Sequence, residues 1–505
     1  MRLENSTRNI KTAWILQLVH ILCQFFSRTA IIYTLSIEYV GLSGLFSNIL
    51  TMLSLAELGI GEAIIFSLYG PIARNETDTI QAIMRFYKKV YISIGIFVLV
   101  VGLVITPFID SFIKEKPAIE EIYIIYMLYV VNTAVSYFFS YKAAFITANQ
   151  KNSIVVLNNG IFEIIMVICQ VASLVLYKNY ILFMAIGICF VLAQNISINV
   201  IANKRYSYLR EKVSLKIPSN ILAEIKKNTG SMVFHKIGTI VVFATDNLII
   251  SKFIGLAIVG IYANYFTITG AVTTFISKFF NSIAASIGNL AVEENTEVQE
   301  KVLFRVLFVN FILYNVACCC LFNLLNPFIK NIWLNERYIF STFVVLLLTI
   351  KVFIVGMRGA AQTFKNAKGL YWYNRYMPIY ESLINLVASL VLVEYMGISG
   401  VILGTIISSI FTFVWIEPYV LYKYGFNKKA NKYFKKYAIY YLIFAICMLT
   451  SFFINKMLLI EGLIGFLIIM LVSTMVPIII MWILLKDIDE FSYFKYIITR
   501  KVVRK

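Results

Sequence analysis

Charge is scarce in this chain: only 14% of its 505 residues are Asp, Glu, Lys or Arg, while 60% are hydrophobic. A soluble domain carries about 25% charged and about 45–50% apolar residues. This chain cannot cover a folded surface with polar groups, so a water-soluble globular protein is excluded. Histidine is nearly absent, and His20 and His235 lie far apart. The seven cysteines (Cys23, Cys169, Cys189, Cys318, Cys319, Cys320 and Cys447) contain no CxxC pair and all fall in apolar stretches. They read as small hydrophobes, and neither a zinc site nor a disulfide framework is suggested. No G-x-x-x-x-G-K-[ST] loop occurs, which excludes ATP hydrolysis by that route. The lone D-x-D, Asp487-Ile488-Asp489, reads as part of a solvated tail. Long polar segments are missing as well, apart from Asn203 to Ser231, so there is no room for a catalytic domain outside the membrane. No catalytic residue, metal or cofactor is expected.

What the chain does have is long apolar runs and an excess of basic charge, 45 Lys and Arg against 26 Asp and Glu. Spanning a hydrocarbon core takes about 20 apolar residues, and about fourteen stretches qualify. They start with Thr12 to Leu35 and Val40 to Tyr69. They include Val233 to Phe253, Ile339 to Phe364 and Ile398 to Tyr422, and end with Leu459 to Leu485. Met1 to Lys11 is polar and basic, and the apolar stretch after it is long enough to span, so it is read as a retained helix and not a cleaved signal. With the N-terminus inside, about 33 basic residues fall in cytoplasmic segments and about seven outside, as positive-inside sorting requires. Both termini are then cytoplasmic. The basic excess belongs to those loops, and nucleic acid is not an expected partner.

The two halves also resemble each other. Gly44-Leu45-Phe46-Ser47-Asn48 matches Gly260-Ile261-Tyr262-Ala263-Asn264 at a shift of 216, and Phe145-Ile146-Thr147-Ala148 matches Phe364-Lys365-Asn366-Ala367 at 219. Both copies begin with an inside-to-outside helix, which makes the repeat parallel. The expected architecture is an all-α integral membrane protein. It has an N-terminal lobe of six helices (1–202), a basic cytoplasmic linker (203–232), a second six-helix lobe (233–425), and two last helices with a basic tail (426–505). A substrate path is expected where the lobes face each other.

An ionisable group at bilayer depth costs roughly 2.5 kcal/mol or more and marks a wet cavity or a partner. Arg28 shares a helical face with Gln17, His20 and Gln24, at spacings of three and four. Interhelical hydrogen bonding would be the plain alternative to a cavity. Asp246 holds a comparable place in the second repeat; it could pair with Arg28 across the lobes, bind a coupling cation or relay a proton. Lys351 and Arg358 lie two turns apart, and Lys278 lies deep in a long helix. Several cations around a cavity make a site for an anion such as a phosphate, whereas snorkelling is the plain reading of Lys278 and Lys142. Glu57 and Glu62 flank Gly59 and Gly61, and Glu417 precedes Pro418. Glu163, Glu381 and Glu394 complete the anionic set.

The block Ala244-Thr245-Asp246-Asn247-Leu248-Ile249-Ile250-Ser251-Lys252-Phe253-Ile254-Gly255, with Gly260 to Tyr265, resembles a signature of Wzx-type polysaccharide repeat-unit flippases. Tyr69-Gly70-Pro71-Ile72-Ala73 with Phe86-Tyr87-Lys88-Lys89 is similar to the same family. So are Arg375-Tyr376-Met377-Pro378 to Glu381 and Asn385, and Gly397-Ile398-Ser399-Gly400-Val401 with Gly404-Thr405. These flippases belong to the multidrug/oligosaccharidyl-lipid/polysaccharide (MOP) exporter superfamily. The resemblance implies a fourteen-helix, non-enzymatic transporter of the bacterial cytoplasmic membrane that moves undecaprenyl-diphosphate-linked oligosaccharide by alternating access. It further implies membrane lipids, a coupling cation (H+ or Na+) and a polysaccharide polymerase complex as partners. Diphosphate contact falls to Arg28, then Arg358, Lys351 and Lys278; coupling or gating falls to Asp246, Glu57, Glu62 and Glu381. A multidrug/ion antiporter of the MATE type and a peptidoglycan lipid-precursor flippase remain as alternatives.

Overall fold

Backbone in lipid has no hydrogen-bond partner but itself, which selects helices, and every regular element among the described residues is helical. The computed structural model describes residues 2–57, 59–115, 117, 119–210, 217–219, 221–226, 229, 245–458 and 462–495. The chain divides into two compact units, Met1–Ala263 and Asn264–Lys505. The first holds α1 (Arg2–Thr34), α2 (Ile37–Leu53), α3 (Ile60–Arg74), α4 (Thr77–Ile105), α5 (Ile122–Ala148), α6 (Asn152–Tyr177), α7 (Tyr180–Arg205) and α8 (residues 245–253). The division falls inside α9 (Leu256–Glu293). The second holds α10 (Thr296–Phe328), α11 (Thr342–Met357), α12 (Gly359–Ala367), α13 (Met377–Met396), α14 (Ile398–Phe411), α15 (Phe413–Val420), α16 (Asn431–Leu458) and α17 (Gly462–Leu485).

Twelve spans among the described residues are long and apolar enough to cross a membrane, which makes the chain a multi-pass membrane protein. Of the remaining stretches, Val233 to Phe253 is described only from residue 245, and part of the linker and the last ten residues also lie outside the described residues. The other, Val40 to Tyr69, is not one helix. It breaks into α2, a 3-10 turn at Ser54–Glu57, and α3, which starts after Gly59 in the left-handed region at φ 79°. Two more predicted helices are interrupted. Ile339 to Phe364 splits at Arg358 into α11 and α12. Ile398 to Tyr422 splits at Thr412 (φ −125°, ψ −97°) into α14 and α15. There the hydroxyls of Ser408, Ser409 and Thr412 donate to carbonyls three or four residues back, which competes with the helical ladder and bends it.

Within the first unit, α1 packs on α6, α4 on α5 and α5 on α7. The starts of α2 and α9 cross closely: a Cβ on Gly41 would lie 2.1 Å from the Leu256 carbonyl oxygen, and one on Gly260 would lie 2.4 Å from that of Ile37. Only glycine permits that approach. The turn between α6 and α7 is short for local reasons. Lys178 ends α6 in the left-handed region (φ 49°), and the Asn179 side chain accepts from Leu182 N at 2.9 Å to cap α7.

In the second unit α10 is the central helix, packed on α11, α16 and α17. Phe311 stacks on Tyr440 at 4.4 Å and Phe353 on Phe444 at 3.8 Å. Polar side chains join the last helices to this core. Asn323 donates to Ser451 at 3.1 Å, Asn455 to Ser473 at 3.0 Å, and Asn315 to the Cys447 sulfur at 3.4 Å, the interhelical bonding expected in lipid. Cys318, Cys319 and Cys447 are buried there as free thiols.

Candidate functional site

The polar stripe on α1 has a partner 143 residues away. His20 Nδ1 lies 2.5 Å from Glu163 Oε1 on α6, and Gln24 Nε2 donates to His20 Nε2 at 2.8 Å. The imidazole thus lies between the Gln24 amide and the Glu163 carboxylate. One turn away, Gly160 admits Leu16: a Cβ there would lie 2.4 Å from Leu16 Cδ2. This close packing of α1 on α6 is what brings imidazole and carboxylate together. The pair remains accessible, with side-chain exposures of 44% for His20 and 24% for Glu163. Together they form a hydrogen-bonded imidazole–carboxylate pair inside a membrane span.

Arg28, two turns beyond His20, is half-buried. It interacts electrostatically with the phenols of Tyr129 and Tyr180, whose oxygens are 2.9 Å apart. Aromatic rings frame this region, with Phe46 5.7 Å from Tyr129 and Tyr39 4.8 Å from Tyr180. A guanidinium held beside phenols is a donor array suited to oxyanions.

In the second unit α12 and α15 bring three charges together. Arg358 donates to Glu417 through Nε at 2.9 Å and Nη2 at 3.0 Å, and Lys365 Nζ donates to Glu417 Oε1 at 2.7 Å. Side-chain exposure is 1% for Glu417, 3% for Lys365 and 22% for Arg358. Arg358 also lies over the Phe413 ring at 4.6 Å. With its amide turned, Asn374 offers its oxygen to Lys365 Nζ at 2.8 Å. Buried Glu381 on α13 interacts electrostatically with Arg358, so two acids balance two bases. In this arrangement the fork of Arg358 is committed to Glu417 and is not presented as an anion ligand. Lys365 was the residue missed: at a helix end it counts as a loop charge, yet it is buried.

The remaining candidates are dispersed. Glu57, in the 3-10 turn between α2 and α3, accepts from Tyr91 OH at 2.5 Å. Glu62 and Glu394 are exposed. Asp246, expected to face Arg28 from the second lobe, lies in the same compact unit as Arg28 and accepts from Tyr262 OH at 3.3 Å. Its neighbour Asn247 donates to the Gly44 carbonyl at 3.4 Å, so α8 packs on the start of α2. Lys278 and Lys351 are half-buried within α9 and α11. Lys142 donates to Asn203 Oδ1 at 2.7 Å. Among the described residues no three His, Cys, Asp or Glu side chains gather as a metal site.

No family profile and no curated protein matches the chain. Solved structures do. The lipid II flippase MurJ in an inward closed conformation is similar over 95% of this chain and 99% of its own, at 15% identity and a TM-score of 0.68. A MATE-family multidrug resistance transporter of the MOP superfamily, inward-facing, covers 80% of this chain and 98% of its own, at 12% identity and 0.62. The Vibrio cholerae MATE transporter VcmN covers 85% of this chain and 99% of its own, at 13% identity and 0.57. At such identities the likeness establishes the fold: this chain has the fold of MOP-superfamily transporters.

Proposed function

We propose that this protein is a flippase carrying undecaprenyl-diphosphate-linked oligosaccharide repeat units across the bacterial cytoplasmic membrane, for polysaccharide assembly. Its neighbours in fold are a lipid flippase and drug exporters, and what favours the lipid-linked cargo is that cations, and not acids alone, are half-buried in the spanning helices. Arg28, Lys278 and Lys351 are half-buried cations within spanning helices. A cationic drug calls for acidic ligands, whereas a diphosphate calls for Arg and Lys. The sugar-diphosphate head cannot cross hydrocarbon unaided, and a cationic path lowers that barrier while the prenyl tail stays in lipid.

Diphosphate contact is assigned to Arg28 in the first unit and to Lys278 and Lys351 in the second, with Arg358 available if Glu417 releases it. His20 and Glu163 hold the proton that couples transport to a gradient; Asp246, Glu57, Glu62 and Glu381 act in gating. Both termini lie in the cytoplasm, no covalent step occurs, and the exported units pass to a polymerase. A peptidoglycan-precursor flippase would use the same diphosphate chemistry, so the test must vary the glycan and the linkage. Proteoliposomes are supplied with a fluorescent repeat unit on undecaprenyl diphosphate, the same glycan on undecaprenyl monophosphate, lipid II and a cationic dye. Protein-dependent transfer of the first, with at least about tenfold preference over the monophosphate, supports the proposal. Preference for lipid II, or for the dye, refutes it.

A further inference from the structure

The second unit holds two cavities one above the other along α10, and neither belongs to the candidate site. The first, about 600 Å³, lies at the polar end of α10 and is walled by its first turns, by Lys428 and Lys432 before and at the start of α16, and by Asp489 and Glu490 after α17. The second, 520 Å³, begins one turn further into the apolar part of α10, between Phe308, Ile312, Trp482, Phe491 and Phe494. The same two elements wall both. On α10, Phe304 and Phe308 are one turn apart, and after α17 the acids Asp489 and Glu490 give way directly to Phe491 and Phe494. Phe308 lies 6.4 Å from Phe491 and 6.1 Å from Phe494. The outer cavity is charged, and the inner one is apolar except for Lys495 at its edge.

The charges in the outer cavity do not cancel. Lys428 is spent on Glu300 at 2.8 Å, and Lys436 hydrogen-bonds Glu490. Arg305 stacks on Tyr493 at 3.5 Å. Lys301 and Lys432, both exposed, have no ion-pair partner among the described residues. Three cations, Lys301, Arg305 and Lys432, therefore stand against Glu297 and Asp489. A polar-to-apolar boundary on a spanning helix marks the water–lipid interface. A molecule that fills both cavities there has an anionic head and hydrocarbon chains.

We propose that this pair of cavities binds one anionic phospholipid, its phosphate between Lys301 and Lys432 and an acyl chain in the groove against Trp482 and Phe494. The bound lipid would tie the segment after α17 to α10, at a place separate from the transported cargo, so the inference does not depend on the proposed substrate.

The test is native mass spectrometry of the full chain in detergent, titrated with phosphatidylglycerol and with phosphatidylcholine of the same chains. Saturable binding of one phosphatidylglycerol is expected. Each interfacial Lys is worth about 1 kcal/mol toward an anionic lipid, so Lys301→Gln with Lys432→Gln weakens binding about tenfold or more. Lys429→Gln with Lys435→Gln removes as many exposed charges beside the cavity and leaves binding unchanged. Trp482→Ser, at an exposed position, weakens it several-fold without altering the thermal melt. Equal binding of phosphatidylcholine, competition by glycerol 3-phosphate alone, or equal effects of the two Lys pairs would each overturn the proposal.

Discussion

At the residue scale, the charges inside the membrane sort into two kinds that the sequence presents alike. Spacings of three and four placed Gln17, His20, Gln24 and Arg28 on one face, and His20 and Gln24 do bond each other. Glu163, the residue this face meets, was legible only as a lone carboxylate, because the contact spans 143 residues. Lys365 was illegible for another reason: positive-inside sorting assigns any cation near a helix end to a loop. The triad around Glu417 is buried tightly enough that removing one partner strands the others, at about 3 kcal/mol or more. Glu417→Gln is therefore expected to lower the thermal midpoint in detergent by several degrees. Adding Lys365→Gln to it recovers part of that loss, since the unpaired ammonium goes too. A melt unchanged by Glu417→Gln would mean that the triad does not hold the fold. The His20–Glu163 pair makes a different prediction, about pH. A pair that takes up and releases the coupled proton makes wild-type transport depend on pH. His20→Gln and Glu163→Gln should flatten that profile while leaving the melt in place; a retained profile would put coupling elsewhere.

At the scale of elements, twelve of the fourteen expected spans were legible from hydropathy among the described residues, whereas Val40 to Tyr69 was misread as one helix and the breaks were not legible. The apolar run Ile398 to Tyr422 continues straight through Thr412, and only the Ser408, Ser409 and Thr412 hydroxyls bonding back to the ladder reveal why it bends. Of the three breaks, Gly59 alone gave a signal, since a glycine beside a membrane carboxylate permits the left-handed turn it adopts. The breaks matter because irregular backbone in lipid survives only where protein or a wet cavity covers it, and Glu57 stands in one of them. The internal match between Gly44 and Gly260 also has a physical basis. A Cβ on Gly44 would lie 3.2 Å from Val259, on the first turn of α9, and Gly260 itself meets the start of α2. Gly260→Val should therefore force α2 and α9 apart and reduce the folded yield sharply, as read by gel filtration of a fluorescent fusion. The same change at Gly270, where a Cβ meets nothing within 4 Å, should be tolerated; equal yields would contradict the crossing.

At the scale of the molecule, low charge and long apolar runs sufficed to read a many-helix membrane protein, and the fold is that of MOP-superfamily transporters, shared with MurJ over 95% of the chain. The cargo is not written at that scale, because helix packing is indifferent to what passes between the helices. In the proposed function it rests on a few cations, Arg28 first among them. The most direct test is transfer of a fluorescent undecaprenyl-diphosphate oligosaccharide in proteoliposomes by wild type, Arg28→Lys and Arg28→Ala, with melts to confirm folding. Transfer by wild type, partial activity in Arg28→Lys, and a loss of at least about tenfold in Arg28→Ala are expected. Undiminished transfer by a folded Arg28→Ala, or none by wild type under any imposed ion gradient, would contradict the proposed function.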